Sequence, residues 1–275
     1  MILGPKASRR DGRRISSKHH TDDPKMARRS LRTIDNIYAG KFKGVPDFRF
    51  DRVVANAFDD MIIRSVPLYD ELQRMMVDLA ARFVQKRSNV YDLGCATGTT
   101  LCLMSKAIAD PTVRFCGLDS SLEMLERAKR KVARLRDKRI TLASQDLNSP
   151  LTLAQPSVIV MALTLQFINP RHRQALIKSL HDSLRPNGCL ILCEKVVGAD
   201  STMNRLMSNL YFDFKRRNRY SELEIAQKRE ALEKVLVPYR LDKNIRLLHE
   251  GGFATVEIFF KWYTFAGLIA VKARP

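Results

Sequence analysis

Cysteine and tryptophan are scarce in this 275-residue chain, acidic residues are outnumbered, and no long apolar run occurs. The five cysteines (Cys95, Cys102, Cys116, Cys189 and Cys193) form an odd set with no CxxC pair and no companion His cluster. That argues against a disulfide framework and a structural metal site, and the thiols read as small hydrophobes kept reduced, in a cytoplasmic setting. The longest apolar stretch, Val158–Leu165, falls far short of the roughly 20 residues a helix needs to cross a bilayer, which excludes a membrane-spanning helix. Asp and Glu number 29 against 48 Lys and Arg, a formal net charge of +19. An excess of that size points first to a polyanionic partner such as RNA. What remains is ordinary: 45% hydrophobic and 28% charged residues suit a globular α/β protein with a sizeable core.

The excess charge is unevenly placed. Residues 1–33 carry ten basic and three acidic side chains, a net of +7, which leaves +12 for residues 34–275. With little apolar periodicity, 1–33 reads as a basic, disordered tail. Asp11, Asp22 and Asp23 argue against a transit peptide, since such segments avoid acids, and a translation start at Met26 is an open alternative. Residues 34–275 are expected to form a single domain.

From Asp51 onward the apolar pattern becomes regular. Val53, Val54, Ala57, Phe58, Met61 and Ile62 recur at helical spacing until Pro67, and a second helix over Leu68–Phe83 puts Leu72, Met75, Met76, Leu79 and Phe83 on one face. These helices make an N-terminal cap over 51–85. Strands are predicted at Asn89–Leu93, Val113–Leu118, Ile140–Ala143, Ser157–Leu165 and Cys189–Val197, with helices at Thr100–Ala109, Ser121–Asp137 and Arg171–Leu184 between them. That alternation predicts βαβ units and a mostly parallel sheet. Thr255–Trp262 and Phe265–Val271 lie almost end to end and predict an antiparallel hairpin at the sheet edge. A helical insertion over 199–250, with helices at Met203–Lys215 and Ser221–Val235, interrupts the rhythm near the carboxyl ends of the strands, where it can cover a site. Ser221 and Glu224 fit a capping box.

The strongest local signal is Val90-Tyr-Asp-Leu-Gly-Cys-Ala-Thr-Gly98, between a predicted strand and a predicted helix. Gly94 allows a tight turn and close approach of a ligand to the helix N-terminus. Asp119, at the end of the next strand, is placed to accept both hydroxyls of a ribose. Each feature has an ordinary structural alternative, but the order strand, Gly loop, helix, strand, Asp favours a nucleotide site. The GxxxG spacing of Gly94 and Gly98 is not the GxGxxG of nicotinamide binders.

These residues resemble the Rossmann-like class I S-adenosylmethionine-dependent methyltransferase pattern: Asp92 before the loop, Asp119 after the second strand, Asp146 after the third, and the terminal hairpin. A narrower resemblance, to the carboxy-S-adenosyl-L-methionine synthases, rests on FDRVVANAFDDMIIRSVPLY (Phe50–Tyr69), YDLGCATG (Tyr91–Gly98), TLQF (Thr164–Phe167), CEK (Cys193–Lys195) and DFKRRNRYSELEIAQKR (Asp213–Arg229). It runs from about Phe48 to the C-terminus. The resemblance implies an enzyme that transfers the carboxyl carbon of prephenate onto the methyl of S-adenosyl-L-methionine and releases phenylpyruvate, with no metal. The product, carboxy-S-adenosyl-L-methionine, goes to a tRNA carboxymethyltransferase for wobble-uridine (uridine-5-oxyacetic acid) modification. It also implies a homodimer, whose contact we expect on the 199–250 insertion.

Carried over by position, the implied cofactor contacts are Tyr69, Gly94, Cys95, Ala96, Asp119, Ser120, Asp146 and Leu147, with Arg229 gripping the extra carboxylate as the catalytic residue. A guanidinium fork matches a carboxylate and stays charged. On composition alone Arg229 would be a solvated helix residue paired with Glu230 or Glu233. Ala162 stands where the family has a contacting asparagine, a loss of one side-chain hydrogen bond worth about 1 kcal/mol. Val235–Arg240 also departs from the pattern. Prephenate is a dianion, and Arg64, Lys195 and Arg229 are the cations in matching motifs. No histidine is placed as a general base: His172 and His181 fall on an outer helix, and His249 on a helix near a loop.

Two other readings compete. Eight Lys and Arg within Arg127–Arg139, and four more within Lys215–Arg219, would suit an S-adenosylmethionine-dependent tRNA or RNA methyltransferase. No aromatic residues are interleaved in Arg127–Arg139 to stack bases, and a solvated helix face is the simpler reading there. The Ala162 departure also admits a non-catalytic cofactor-binding module.

Overall fold

A computed structural model describes residues 34–274, so the basic segment 1–33 lies outside the described residues. The chain enters through two helices, α1 (Arg52–Ser65) and α2 (Tyr69–Phe83). It then alternates through β1 (Asn89–Leu93), α3 (Thr99–Ala107), β2 (Arg114–Asp119), α4 (Leu122–Leu135), β3 (Ile140–Ser144), β4 (Pro156–Ala162), α5 (Pro170–Ser183) and β5 (Cys189–Val197). Helices α6 (Ser201–Arg217) and α7 (Glu222–Leu232), a two-residue strand β6 (Tyr239–Arg240) and α8 (Leu241–Glu250) follow. Strands β7 (Thr255–Trp262) and β8 (Phe265–Val271) end the fold.

The sheet order is β3-β2-β1-β4-β5-β8-β7, with β6 beside the end of β5. The first five strands run parallel, and β8 is antiparallel to both β5 and β7. Successive strand residues point to opposite faces. Val90, Val158, Val160 and Ile191 therefore join Leu72 and Met76 of α2 and Leu101 and Met104 of α3 in one core. Tyr91, Ile159, Met161 and Leu192 join Ile177 and Leu180 of α5 and Leu247 and Leu248 of α8 in the other. Burial on both faces explains why Val158–Ala162 of β4 and Cys189–Cys193 of β5 read as unbroken apolar runs. A third cluster ties α1 (Val54, Met61), α4 (Met124) and α7 (Ala231) to Phe48.

Local chemistry sets the boundaries. Asp51 caps α1, Ser121 caps α4 by accepting from Met124 N, and Ser221 with Glu224 forms the expected capping box of α7. Two predictions need correction. The strand expected to reach Leu165 stops at Ala162, and Leu165–Phe167 is a short 3₁₀ turn. Glu194 of the neighbouring strand causes this by accepting the backbone N–H groups of Thr164, Leu165 and Gln166 at 2.8–3.1 Å. Helix α7 ends at Leu232 instead of Val235. The departing stretch 235–240 then bonds Val237 N to Gln166 O and pairs Tyr239 and Arg240 with Val196 and Val197. On α2 the buried face holds Leu72, Gln73, Met76, Val77 and Ala80, while Met75, Leu79 and Phe83 pack only partly buried.

Candidate active site

The chain reverses direction after β1 through Gly94, at φ +75°, and the amides of Gly94 and Cys95 both donate to Leu118 O, at 2.7 and 3.0 Å. A Cβ on Gly94 would collide with the Thr164 side chain, and Gly94 and Thr164 both line the cavity described below. Gly98, at φ +76°, is the left-handed entry to α3. The Cys95 thiol packs toward Gly117, and burial pushes it well above its ordinary pKa.

Asp119 fixes the loop. One carboxylate oxygen accepts from Ala96 N and the other from Ser121 N, both at 2.8 Å. Burial raises its pKa. Asp92 is 1% exposed, and burial, then the charge of Asp119, pushes it up to about 7. Its Oδ2 has no hydrogen-bond partner among the described residues. Lys131 of α4 braces the loop from outside, meeting Asp59 of α1 and the hydroxyls of Thr97 and Thr99 at 2.7–3.1 Å.

A cavity of about 450 Å³ opens at these strand ends, next to the point between β1 and β4 where strand order reverses. Tyr69, Gly94, Cys95, Ala96, Asp119, Ser120, Asp146, Leu147, Ala162 and Arg229 all line it. Arg229 is exposed on α7. The ion pairs of that helix are Glu222 with Arg216 and Lys228 with Asp35, and Arg229 joins none among the described residues. Pairing with Glu230 or Glu233 is thus not what occupies it. Asp146 is held in a tight turn, accepting from Asn148 N and Nδ2 at 2.9 and 3.0 Å.

Lys195 also lines the cavity, and Arg64 does not. The Arg64 guanidinium is spent on the carbonyls of Asp35, Asn218 and Arg219 and on Asp60, and it stacks 4.0 Å over Tyr220, so it is a structural clamp. Lys215, Lys228 and Tyr211 line the cavity unanticipated. The signal for Lys215 was present in the Asp213–Arg229 motif but was read as part of a phosphate-binding patch. Burial pushes Lys195 down to about 8. Burial, with repulsion from Lys228 and Lys195, pushes Lys215 down to about 7. His172, His181 and His249 are all outside the cavity lining.

Part of each basic run is engaged within the chain, while Lys129, Arg134, Arg136 and Lys138 are exposed. Arg127 bonds Asn56, Lys131 braces the loop, and Arg139 donates to the carbonyls of Ser105, Ile108 and Asp110. Arg216 pairs with Asp213 and Glu222. The cations spent on intramolecular bonds are those not offered to phosphates.

These residues fit an adenosyl sulfonium ligand. Each Asp119 oxygen retains a second lone pair for a ribose hydroxyl, Asp92 offers an unpaired acceptor, and the volume lies in the small-molecule range. Among the described residues no group of three or more His, Cys, Asp or Glu is placed to hold a metal ion, and no helix is long and apolar enough to cross a membrane.

Comparison with known proteins agrees with this geometry. The family described as "Methyltransferase domain" matches residues 91–190. Solved structures share the fold: an O-methyltransferase family protein of Burkholderia thailandensis (TM-score 0.60, 15% identity) aligns over 82% of this chain and 61% of its own. An S-adenosylmethionine-dependent methyltransferase of Aquifex aeolicus (TM-score 0.55, 16% identity) aligns over 82% of this chain and 100% of its own. Sequence relatives go further. The carboxy-S-adenosyl-L-methionine synthase of Methylococcus capsulatus is 46% identical over 239 residues, 86% of this chain and 99% of that protein. The synthase of Desulfotalea psychrophila is 39% identical over 83% of this chain and 94% of its own. With a matching synthase over nearly its whole length, this chain belongs to the carboxy-S-adenosyl-L-methionine synthase family.

Proposed function

We propose that the protein converts S-adenosyl-L-methionine and prephenate to carboxy-S-adenosyl-L-methionine and phenylpyruvate. The observation that carries this reading is a cavity in which Arg229, without an ion-pair partner among the described residues, joins an adenosyl-type binding set, in a chain of this family. In balance, the ring–carboxylate bond of prephenate breaks, the ring hydroxyl leaves with a methyl proton as water, and the carboxyl carbon ends on the methyl.

The chain's own part is binding, orientation and exclusion of water. Asp119 takes the ribose, Asp146 and Leu147 flank the base, and Tyr69, Gly94–Ala96 and Ser120 shape the cradle. Ala162 contributes backbone groups only, and Arg229 holds the added carboxylate. Helices α6 and α7 close over the strand ends, so the charge interactions act in a site of reduced polarity. The product serves a tRNA carboxymethyltransferase acting on wobble uridine, in the cytoplasm. We also propose a homodimer that meets through the 199–250 insertion, which carries exposed Met203, Leu206, Leu223 and Val237. The test is direct: take the mass of any nucleoside that copurifies, then add prephenate and measure phenylpyruvate. A carboxylated sulfonium and phenylpyruvate support the reading. S-adenosylhomocysteine without phenylpyruvate refutes it.

A further inference from the structure

The cavity carries more positive charge than one added carboxylate needs. Beyond Arg229 it holds Lys195 from the end of β5 and Lys215 from the last turns of α6. Their ammonium nitrogens lie 4.9 and 5.2 Å from the centroid of one ring, that of Tyr211. Among the described residues neither ammonium has a carboxylate partner. The nearby Lys228 does, meeting Asp35 at 3.5 Å and Ser65 Oγ at 3.3 Å. Asp35 is also claimed by the Tyr220 hydroxyl, so it offers little to the other two lysines. Lys215 is 5% exposed, and a buried ammonium without a counter-ion is strongly disfavoured. Burial pulls both amines toward neutrality, and Lys215 further through repulsion from Lys228 and Lys195, a penalty that an incoming anion relieves.

The setting also selects the rest of the ligand. Tyr211 packs edge-on against Phe265 at 5.3 Å, and Met76 and Phe212 add apolar wall beside them. In the sheet, β5 and β8 lie on one side of β1, while β2 and β3, which carry Asp119 and lead to Asp146, lie on the other. The lysines therefore sit at the opposite end of the cavity from the ribose and base positions.

We propose that Lys195 and Lys215, flanking Tyr211, form the subsite for the second substrate's retained carboxylate and so select a ring-bearing dicarboxylate. Arg229 is then left for the carboxylate that migrates. This rests on the function proposed above and adds the residues that recognise the half of prephenate surviving as phenylpyruvate. Phenylpyruvate keeps only that carboxylate, which makes it the natural probe.

The experiment uses the full chain. Steady-state rates with prephenate, inhibition by added phenylpyruvate and the affinity for S-adenosyl-L-methionine are measured for wild type, Lys195→Met and Lys215→Met. Expected are rises of about tenfold or more in the KM for prephenate and the Ki for phenylpyruvate, the loss of one charge-assisted hydrogen bond, with S-adenosyl-L-methionine affinity within about twofold. Unchanged KM and Ki in an active, folded variant overturn the inference and leave the proposed function standing. A wild type that makes no phenylpyruvate overturns the proposed function itself. Lys195 is only partly buried, so if Lys215→Met fails to fold, Lys195→Met decides the matter.

Discussion

Asp119 serves the chain and a ligand at once, because a carboxylate has more acceptor sites than the two amides from Ala96 and Ser121 use. Asp119→Ala removes both anchors of the loop, and S-adenosyl-L-methionine affinity, read by calorimetry, is expected to fall at least about tenfold. Arg229→Ala should behave differently. The side chain is exposed and unpaired among the described residues, so the melting temperature holds while the phenylpyruvate rate falls about tenfold to a hundredfold. Gly94→Ala places a Cβ into Thr164 at a left-handed backbone position, costing about 1–3 kcal/mol by overpacking, and Thr164→Gly in the same chain restores the steric part. Denaturant melts of the two variants check this. The lysines predict a pH effect with a definite sign. Lys195 and Lys215, pushed down to about 8 and about 7, lose charge as pH rises, so kcat/KM for prephenate should decline between pH 7 and 9. The groups facing them are Lys228, Asp35, Tyr211 and Tyr220. Both tyrosines are raised by burial and remain protonated across that window, whereas Asp92 and Glu194 are pushed up to about 7 and about 8 and Lys228 is pushed down by burial, so the share of the lysines is read from the loss of the decline in Lys195→Met and Lys215→Met. Activity that rises with pH instead would make them neutral bases.

At the scale of elements, β5 organises the site. Its Glu194 receives three amides and bends the chain after β4 into the turn that brings Gln166 and Phe167 to the cavity, while its Lys195 points into the same space. Glu194→Gln leaves one of those amides facing an amide donor, and unfolding free energy should drop by about 1–3 kcal/mol in urea titrations. The span of β5, like those of β1 and the terminal hairpin, was legible residue by residue, because apolar runs between turn signals are written in local sequence. The end of β4 was not legible, since it is decided by Glu194 thirty residues on. Nor was β6, which exists only through pairing with Val196 and Val197. Among site residues, the loop and its acids follow from order along the chain. Lys215 and Arg64 traded roles because whether a cation is buried in a cavity or spent on carbonyls depends on how α1 and α6 pack.

For the whole molecule, the charge of +19 first suggested RNA. Of this, +7 lies in residues 1–33, and several other cations, among them Arg64, Lys131, Arg139 and Arg216, are spent on intramolecular bonds. Others, Lys195, Lys215 and Arg229, face a small-molecule cavity. Bulk tRNA at saturating amounts should therefore leave the phenylpyruvate rate within about twofold and acquire no methyl groups. The central claim is that this cavity joins a carboxylate from prephenate to an adenosyl sulfonium. Its most direct test is mass spectrometry of the purified chain after incubation with S-adenosyl-L-methionine and ring-labelled and carboxyl-labelled prephenate in turn. The account predicts label from the ring carboxyl in carboxy-S-adenosyl-L-methionine and ring label in phenylpyruvate, in equal amounts. Unlabelled S-adenosyl-L-methionine beside intact prephenate would contradict it.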